Sequence, residues 1–212
     1  MLPELENAIT EIKEKMPGLS LLENEPMKEH CSFKIGGPVR ALATPSDVFS
    51  ATRGFSILKK HGVAPLVVGN CSNILFPDEG MENVFIVSTL KLTKINLTPD
   101  GAIYAECGVS LASLSTFAQQ SSLAGLEFAS GIPGTVGGGV RMNAGAYGGE
   151  LKDTVESVVF YSLPDQGLYE AKGEDCAFGY RTSVFQSQPF VVLSAVFRGT
   201  AGDKAEIAEK MR

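Results

Sequence analysis

The sequence predicts a mixed α and β fold built as two consecutive units, and three observations predict it. A strand–helix–strand run occupies residues 38–69, and a second run of the same scheme begins at Ile103. Each run ends in a turn rich in glycine and hydroxyl groups: Gly69-Asn70-Cys71-Ser72-Asn73 in the first, Ser130-Gly131-Ile132-Pro133-Gly134-Thr135 in the second. Three more strand-like runs follow, at Val155–Ser162, Leu168–Ala171 and Phe190–Phe197, the first two joined by the hairpin-type turn Pro164-Asp165-Gln166-Gly167. The chain has 212 residues, enough for one large domain or two small ones with a real core.

In order along the chain, Leu2, Leu5, Ile9, Ile12 and Met16 recur at three and four, which predicts an amphipathic helix over 2–16 stopped by Pro17-Gly18. Residues 23–30 read as a polar stretch. Val39–Ala43 reads as a short strand. Thr44 is the expected N-cap of the next helix, with Pro45 at the first helical position and Asp47 in the first turn. Val48, Ala51, Phe55 and Leu58 make its apolar face, Gly62 ends it, and 65–68 is a short buried strand. In the second unit Ile103–Glu106 reads as a strand and Leu111, Leu114 and Phe117 mark a helix over about 110–122. Near the end, Asp203 is an N-cap and Glu206 completes a capping box for a helix from Lys204 to Arg212. Its apolar positions, Ala205, Ala208 and Met211, have nothing downstream to pack against, so it reads as the beginning of another element.

Composition removes several classes of function. Apolar residues are 44% and charged residues 20%, with net charge −6, which excludes disorder and a broad basic surface for nucleic acid. The longest uncharged run, Cys107–Leu126, is too rich in Ser and Gln for a bilayer core. The first residues carry acids where a signal peptide needs basic and apolar ones, so the expectation is a cytoplasmic protein without a membrane. Four cysteines (31, 71, 107, 176) lie far apart with no CxxC, and only His30 and His61 are present, so no metal site, disulfide framework or Ser-His-Asp triad is indicated. With few side chains left to carry chemistry, a cofactor becomes the expectation.

The glycines point to where it sits. There are 23 in the chain, and eight of them fall within residues 131–149. Glycine lets backbone approach a ligand closely, and runs of N–H groups form anion-binding nests. Pro133-Gly134 fits the centre of a type II turn. Phe128 to Val140 has no charge, so a diphosphate there would be held by backbone dipoles and hydroxyls. The turn 69–73 adds Ser72 and Asn73 as donors. Neither turn matches the Rossmann or P-loop pattern. Arg181, in Tyr180-Arg181-Thr182-Ser183, offers a planar fork suited to carboxylate or phosphate, but on its own it reads first as a surface arginine, as does Arg141 beside Asn143.

Four segments, HCSFKIGG (30–37), VVGNCSNILFPDEG (67–80), GLEFASGIPGTVGGGVRMNAGAYGGELKD (125–153) and FGYRTSVF (178–185), together resemble the bacterial UDP-N-acetylenolpyruvoylglucosamine reductases, also called UDP-N-acetylmuramate dehydrogenases, of peptidoglycan precursor synthesis. The resemblance covers most of residues 28–197. It implies a vanillyl-alcohol-oxidase/PCMH-type FAD-binding fold, in which two α+β subdomains (here 1–92 and 93–200) hold FAD non-covalently and a third domain, of which 201–212 is the start, closes over it. It implies that Gly69, Asn70, Cys71, Ser72, Asn73, Ile74, Gly131, Ile132, Gly134, Thr135, Gly138 and Val192 serve the FAD, and that Tyr180, Arg181 and Asn143 serve the substrate, with Arg181 catalytic. The implied reaction is NADPH-dependent, FAD-mediated reduction of UDP-N-acetylglucosamine enolpyruvate to UDP-N-acetylmuramate by a monomer. The family's general acid is a serine assisted by a glutamate, both in the third domain; Ser183 and Glu127 do not correspond to them, so this chain is expected to bind FAD with little turnover. A non-catalytic flavin or nucleotide module is the alternative. Cys71 stands where the family usually has glycine, and Cys31 where it usually has threonine.

Overall fold

The computed structural model describes residues 2–212 and divides the chain into two compact units, one ending at Leu92 and the other starting at Thr93.

In the first unit, helix α1 (Pro3–Lys15) has proline in its first turn, acids at its start and lysines at its end, and buries Leu5, Ala8, Ile9 and Ile12. Strands β1 (Ser20–Pro26), β2 (Pro38–Thr44), β3 (Leu66–Val68) and β4 (Met81–Ser88) form a sheet in the order β1-β2-β4-β3. β2 and β3 both run parallel to β4, while β1 is an antiparallel edge. Helix α2 (Val48–Lys60) connects β2 to β3 and buries Ala51, Phe55, Ile57 and Leu58. Glu11 of α1 receives Lys60 Nζ and His61 Nε2 from the end of α2, at 2.7 and 2.6 Å.

Two expectations change here, and one strand goes unread in the sequence. The polar stretch 23–30 is largely strand: β1 runs to Pro26, followed by a short 3-10 helix, Met27–Glu29. Its polar look is that of an edge strand with exposed alternate residues. β4, which sits between the two strands of the β-α-β run, carries no clear signal because its first half is polar and exposed. The N-cap of α2 is Asp47, not Thr44. Thr44 is still in the ladder, opposite Ser20, whereas Asp47 Oδ1 accepts from Ser50 N at 2.7 Å and Ser50 Oγ accepts in return from Asp47 N.

The second unit is built on an antiparallel sheet of β5 (Ile95–Leu97), β6 (Ile103–Glu106), β10 (Val155–Ser162), β11 (Gly167–Lys172) and β12 (Phe190–Phe197), in the order β11-β10-β12-β6-β5. Helix α3 (Leu111–Gln120) starts at Ser110, whose hydroxyl accepts from Ser113 N at 3.0 Å. A short pairing joins β7 (Leu123–Ala124) to β13 (Thr200–Ala201), and β8 (Gly145–Ala146) with β9 (Gly149–Glu150) makes a small hairpin. Helix α4 (Val136–Arg141), helix α5 (Val184–Ser187) and the interior sheet residues bury Ile103, Leu111, Leu114, Val136, Val140, Phe185 and Phe197 in one core.

Helix α6 (Lys204–Lys210) docks on this second unit. Its buried residue is Ile207, which the apolar reading of Ala205, Ala208 and Met211 passed over. Gln119 Nε2 donates to Lys204 O at 3.0 Å and Ser130 Oγ to Met211 O at 3.3 Å. Asp203 accepts from Ala205 N and Glu206 N, but among the described residues Glu206 makes no return bond, so the cap is one-sided.

Candidate functional site

The first unit's candidate turn leaves β3 through Gly69 and Asn70. Cys71 holds the left-handed conformation there, with φ 47°, and is buried in a cluster with Met27, Cys31, Val68 and Phe76. Glycine at 69 is therefore not the residue that makes the sharp bend. The backbone of 71 is tied to the segment before β2, since Ser32 N donates to Cys71 O at 3.4 Å. Burial pushes the Cys71 thiol up to about 11, with Cys31 adding to it, so it is a neutral packing group. Ile74 packs against the same cluster. Among the described residues the side chains of Asn70, Ser72 and Asn73 spend no hydrogen bond on protein, which leaves an amide, a hydroxyl and a second amide free on one turn.

In the second unit the glycine segment is not one loop. Val136–Arg141, sequence VGGGVR, is a helical turn and a half, against the low helix propensity of glycine. Packing explains it: a β-carbon on Gly137 would lie 2.8 Å from Cys107 Cβ, and one on Gly139 would lie 2.8 Å from Leu151 Cδ1. Further on, β-carbons at Gly145 and Gly149 would meet Gly149 O at 2.7 Å and Phe128 at 2.6 Å. The type II turn at Pro133-Gly134 is absent. Gly134 is not among the residues of positive φ, and its N–H closes a tighter turn onto Ile132 O at 2.9 Å.

The open nest also contracts. The amides of Ile132, Gly134, Val136, Gly137 and Gly139 are all spent on protein carbonyls: those of Ala129, Ile132, Val109, Cys107 and Thr135. Three positions still leave room or a free hydroxyl for a ligand. Gly131 is exposed, and a β-carbon there would meet nothing within 4 Å. Gly138 lies on the outer side of α4, where the nearest neighbour of such a carbon is Thr135 Oγ1 at 3.8 Å. Thr135 itself is 4% exposed, and its hydroxyl is buried without a hydrogen-bond partner. A buried hydroxyl left unpaired is costly, and the cost is removed when a ligand oxygen takes it. Gly131, Gly138 and Thr135 thus fit the close approach of an anionic group such as a diphosphate. Val192, by contrast, is buried in β12 opposite Phe160.

A second cluster in the same unit surrounds Arg181. Gly179 and Thr182 pair across a tight turn with Tyr180 and Arg181 at its tip, and Arg181 is left-handed, with φ 53°. Tyr180 is 86% exposed, and Tyr147, at the tip of the β8–β9 hairpin, is 97% exposed. Arg181 Nη2 donates to Gly145 O at 3.3 Å, and among the described residues no carboxylate lies within ion-pair distance of its guanidinium. Asn143, expected on the substrate, is 1% exposed with its side chain fully engaged: Nδ2 donates to Glu150 Oε2 (3.0 Å) and Gly179 O (2.9 Å), and Oδ1 accepts from Lys152 N (3.0 Å). It braces the turn from behind. Arg141 caps the end of α5 by donating to the carbonyls of Phe185 and Gln186. Ser183 Oγ is bonded to Arg141 O at 2.6 Å, and Glu127 Oε2 to Gly125 N at 2.7 Å. The sequence reading missed Glu150 and Lys152; their only signal is that both lie within three residues of the glycine segment.

These features define a class. Residues 39–165 match the family described as FAD binding domain. The architecture is shared with alkyldihydroxyacetonephosphate synthase, 14% identical with a TM-score of 0.68, over 95% of this chain and 41% of that one, a likeness of fold alone. The crystal structure of UDP-N-acetylenolpyruvylglucosamine reductase from Thermus caldophilus is 29% identical, with a TM-score of 0.73, over 91% of this chain and 66% of that one. In sequence, UDP-N-acetylenolpyruvoylglucosamine reductase from Syntrophomonas wolfei is 44% identical over 89% of this chain and 62% of that protein. The counterpart from Agathobacter rectalis is 38% identical over 96% and 68%. The chain belongs to the UDP-N-acetylenolpyruvoylglucosamine reductase family, an FAD-dependent oxidoreductase family with a PCMH-type α+β fold. It spans 62% to 68% of the length of these two relatives. Among the described residues no helix is long and apolar enough to cross a membrane, and no cluster of ligands for a metal ion is found.

Proposed function

We propose that this chain supplies the FAD-binding part of an NADPH-dependent reduction of UDP-N-acetylglucosamine enolpyruvate to UDP-N-acetylmuramate, in the cytoplasm and as a monomer. The observation that carries the reading is the unpaired guanidinium of Arg181, braced on a turn beside a segment that fits a diphosphate.

Thr135 Oγ1, with Gly131 and Gly138 giving room, holds the FAD diphosphate. FAD, when bound, supplies hydride transfer from NADPH to the terminal carbon of the enolpyruvyl double bond. Arg181 binds the substrate carboxylate, which accepts negative charge as that carbon is reduced. A fixed cation there stabilises the developing charge more than the ground state, which is the condition for acceleration. Tyr180 flanks the same carboxylate. The neighbouring carbon then needs a proton. Ser183 and Glu127 are both committed to backbone partners, so neither supplies it, and the 212 residues alone turn over little.

The test has two stages. Purified chain loaded with FAD gives a yellow protein with a bound-flavin spectrum, and Thr135→Val weakens that binding roughly ten- to a hundredfold, the value of a hydrogen bond to a charged group. In a form competent for turnover, Arg181→Ala lowers kcat at least about a hundredfold with FAD retained, as loss of one oxyanion-stabilising group does. A chain that cannot be loaded with FAD, or a kcat untouched by loss of Arg181, overturns the reading. Robust substrate-dependent NADPH oxidation by the 212 residues alone overturns the statement on turnover.

A further inference from the structure

An exposed arginine that must receive an anion is easily silenced by a carboxylate of its own protein. Here such a carboxylate is close. Glu150 pairs with Gly145 across the β8–β9 hairpin, and Gly145 O is the group that accepts from Arg181 Nη2. The attraction of Arg181 is one of the influences that hold the Glu150 carboxyl below its ordinary range, after the bonds from Lys152 and Asn143. Yet no ion pair joins Glu150 to Arg181 among the described residues. Glu150 Oε2 receives Lys152 Nζ at 2.6 Å and Asn143 Nδ2 at 3.0 Å. Asn143 can act as a fixed arm because its other amide hydrogen is anchored on Gly179 O and its Oδ1 on Lys152 N. Its backbone is left-handed, with φ 46°, a conformation asparagine tolerates better than most residues.

We propose that Asn143 and Lys152 restrain Glu150 away from Arg181 and so keep the guanidinium open to the carboxylate of an incoming ligand. The proposal rests on the reading of Arg181 as the ligand's cation and adds to it how that cation stays unpaired. Asn143 and Lys152 are positioning residues; neither touches the ligand. Released, Glu150 would occupy the bidentate face that a planar guanidinium offers a carboxylate. An incoming anion would then have to displace it.

The experiment uses the full FAD-loaded chain and reads Arg181 directly, by its rate of modification with phenylglyoxal, followed by peptide mass spectrometry. N143G keeps the left-handed backbone and frees Glu150. It slows modification roughly two- to fivefold, the factor an exposed ion pair supplies. N143G/E150Q restores the original rate, and E150Q alone leaves it near wild type. K152M, with K152M/E150Q as its rescue, carries the same expectation should N143G fail to fold. Unchanged modification in both N143G and K152M, or slowing that E150Q does not rescue, overturns the proposal; the latter would mean that Asn143 merely braces Gly179. A parallel titration with UDP-N-acetylglucosamine enolpyruvate, followed by flavin absorbance, separates the two ideas. Modification that follows the expected pattern with ligand affinity indifferent to all five variants and to Arg181→Ala leaves the restraint standing and removes Arg181 from ligand binding.

Discussion

In the turn Gly69–Asn73 the left-handed residue is Cys71, with φ 47°, while the eight glycines of 131–149 include a single one of positive φ, Gly148 at 85°. In sequence both regions read alike, as glycine-containing segments whose turns hold a diphosphate. In structure they differ. In the first, a side chain is forced into a conformation suited to glycine. In the second, glycines sit mostly in ordinary conformations, and what they supply is missing volume. That volume divides again: at Gly137, Gly139, Gly145 and Gly149 it is filled by the protein, and at Gly131, Gly138 and Gly148 it is left open, the last at a positive φ that itself calls for glycine. Only Gly131 and Gly138 are left for a ligand to explain.

The largest expected effect tests that division. A β-carbon at Gly145 would lie 2.7 Å from a backbone oxygen and 2.8 Å from Glu150 Cγ. Gly145→Ala is therefore expected to cost about 1–3 kcal/mol, the range for overpacking. Gly131→Ala has empty space and is expected to stay within about 0.5 kcal/mol of wild type. Its effect falls on FAD affinity instead. Urea unfolding without FAD and flavin titration separate the two, and equal destabilisation by both substitutions would break the distinction between filled and open glycines.

A smaller effect probes the other side of the comparison. At Cys71, alanine and glycine both remove the sulfur, but only glycine relieves the left-handed backbone. Cys71→Gly is expected to be more stable than Cys71→Ala by up to about 1 kcal/mol, although it leaves the larger void. The reverse order, by the same urea measurement, would mean that packing in the cluster with Met27 and Phe76 outweighs the backbone.

These contrasts show what could be read from the sequence. The β-α-β run was legible because Val48, Ala51, Phe55 and Leu58 repeat at helical spacing between short apolar strands, and the structure keeps helix α2 and both strands. The start of α2 slipped by three residues because Thr44 and Asp47 are both good caps, and only sheet pairing decides which one is free. The glycine segment was legible as unusual but not as partly helical, because neighbours distant in sequence, Cys107, Leu111 and Leu151, impose the helix. Arg181 stood out in sequence as a fork for an anion, but only family resemblance lifted it above a surface arginine. The pairing that leaves it open, Glu150 to Lys152 and Asn143, depends on a hairpin register that composition does not encode.

The smallest effect compares the two units through one buried thiol in each. Burial, with Cys31 adding to it, pushes Cys71 up to about 11, and burial, with the charge of Asp175 adding to it, does the same to Cys176, against an ordinary 9.0. Below pH 9 these thiols are protonated in folded and unfolded chain alike, and they contribute no slope. Between about 9 and 11 the unfolded chain has released protons that the folded chain still holds, so each thiol makes stability fall as pH rises through that window. Urea midpoints at pH 8 and pH 10.5 are expected to drop less for Cys71→Gly than for wild type, and least for Cys71→Gly combined with Cys176→Ala. Tyrosine and lysine titration is common to all of these chains and cancels in the differences. If Cys71→Gly drops as far as wild type while Cys176→Ala does not, the thiol of the first unit is reached by water. The turn at 69–73 is then looser than its buried cluster implies, and the strain assigned to Cys71 has a route to relax.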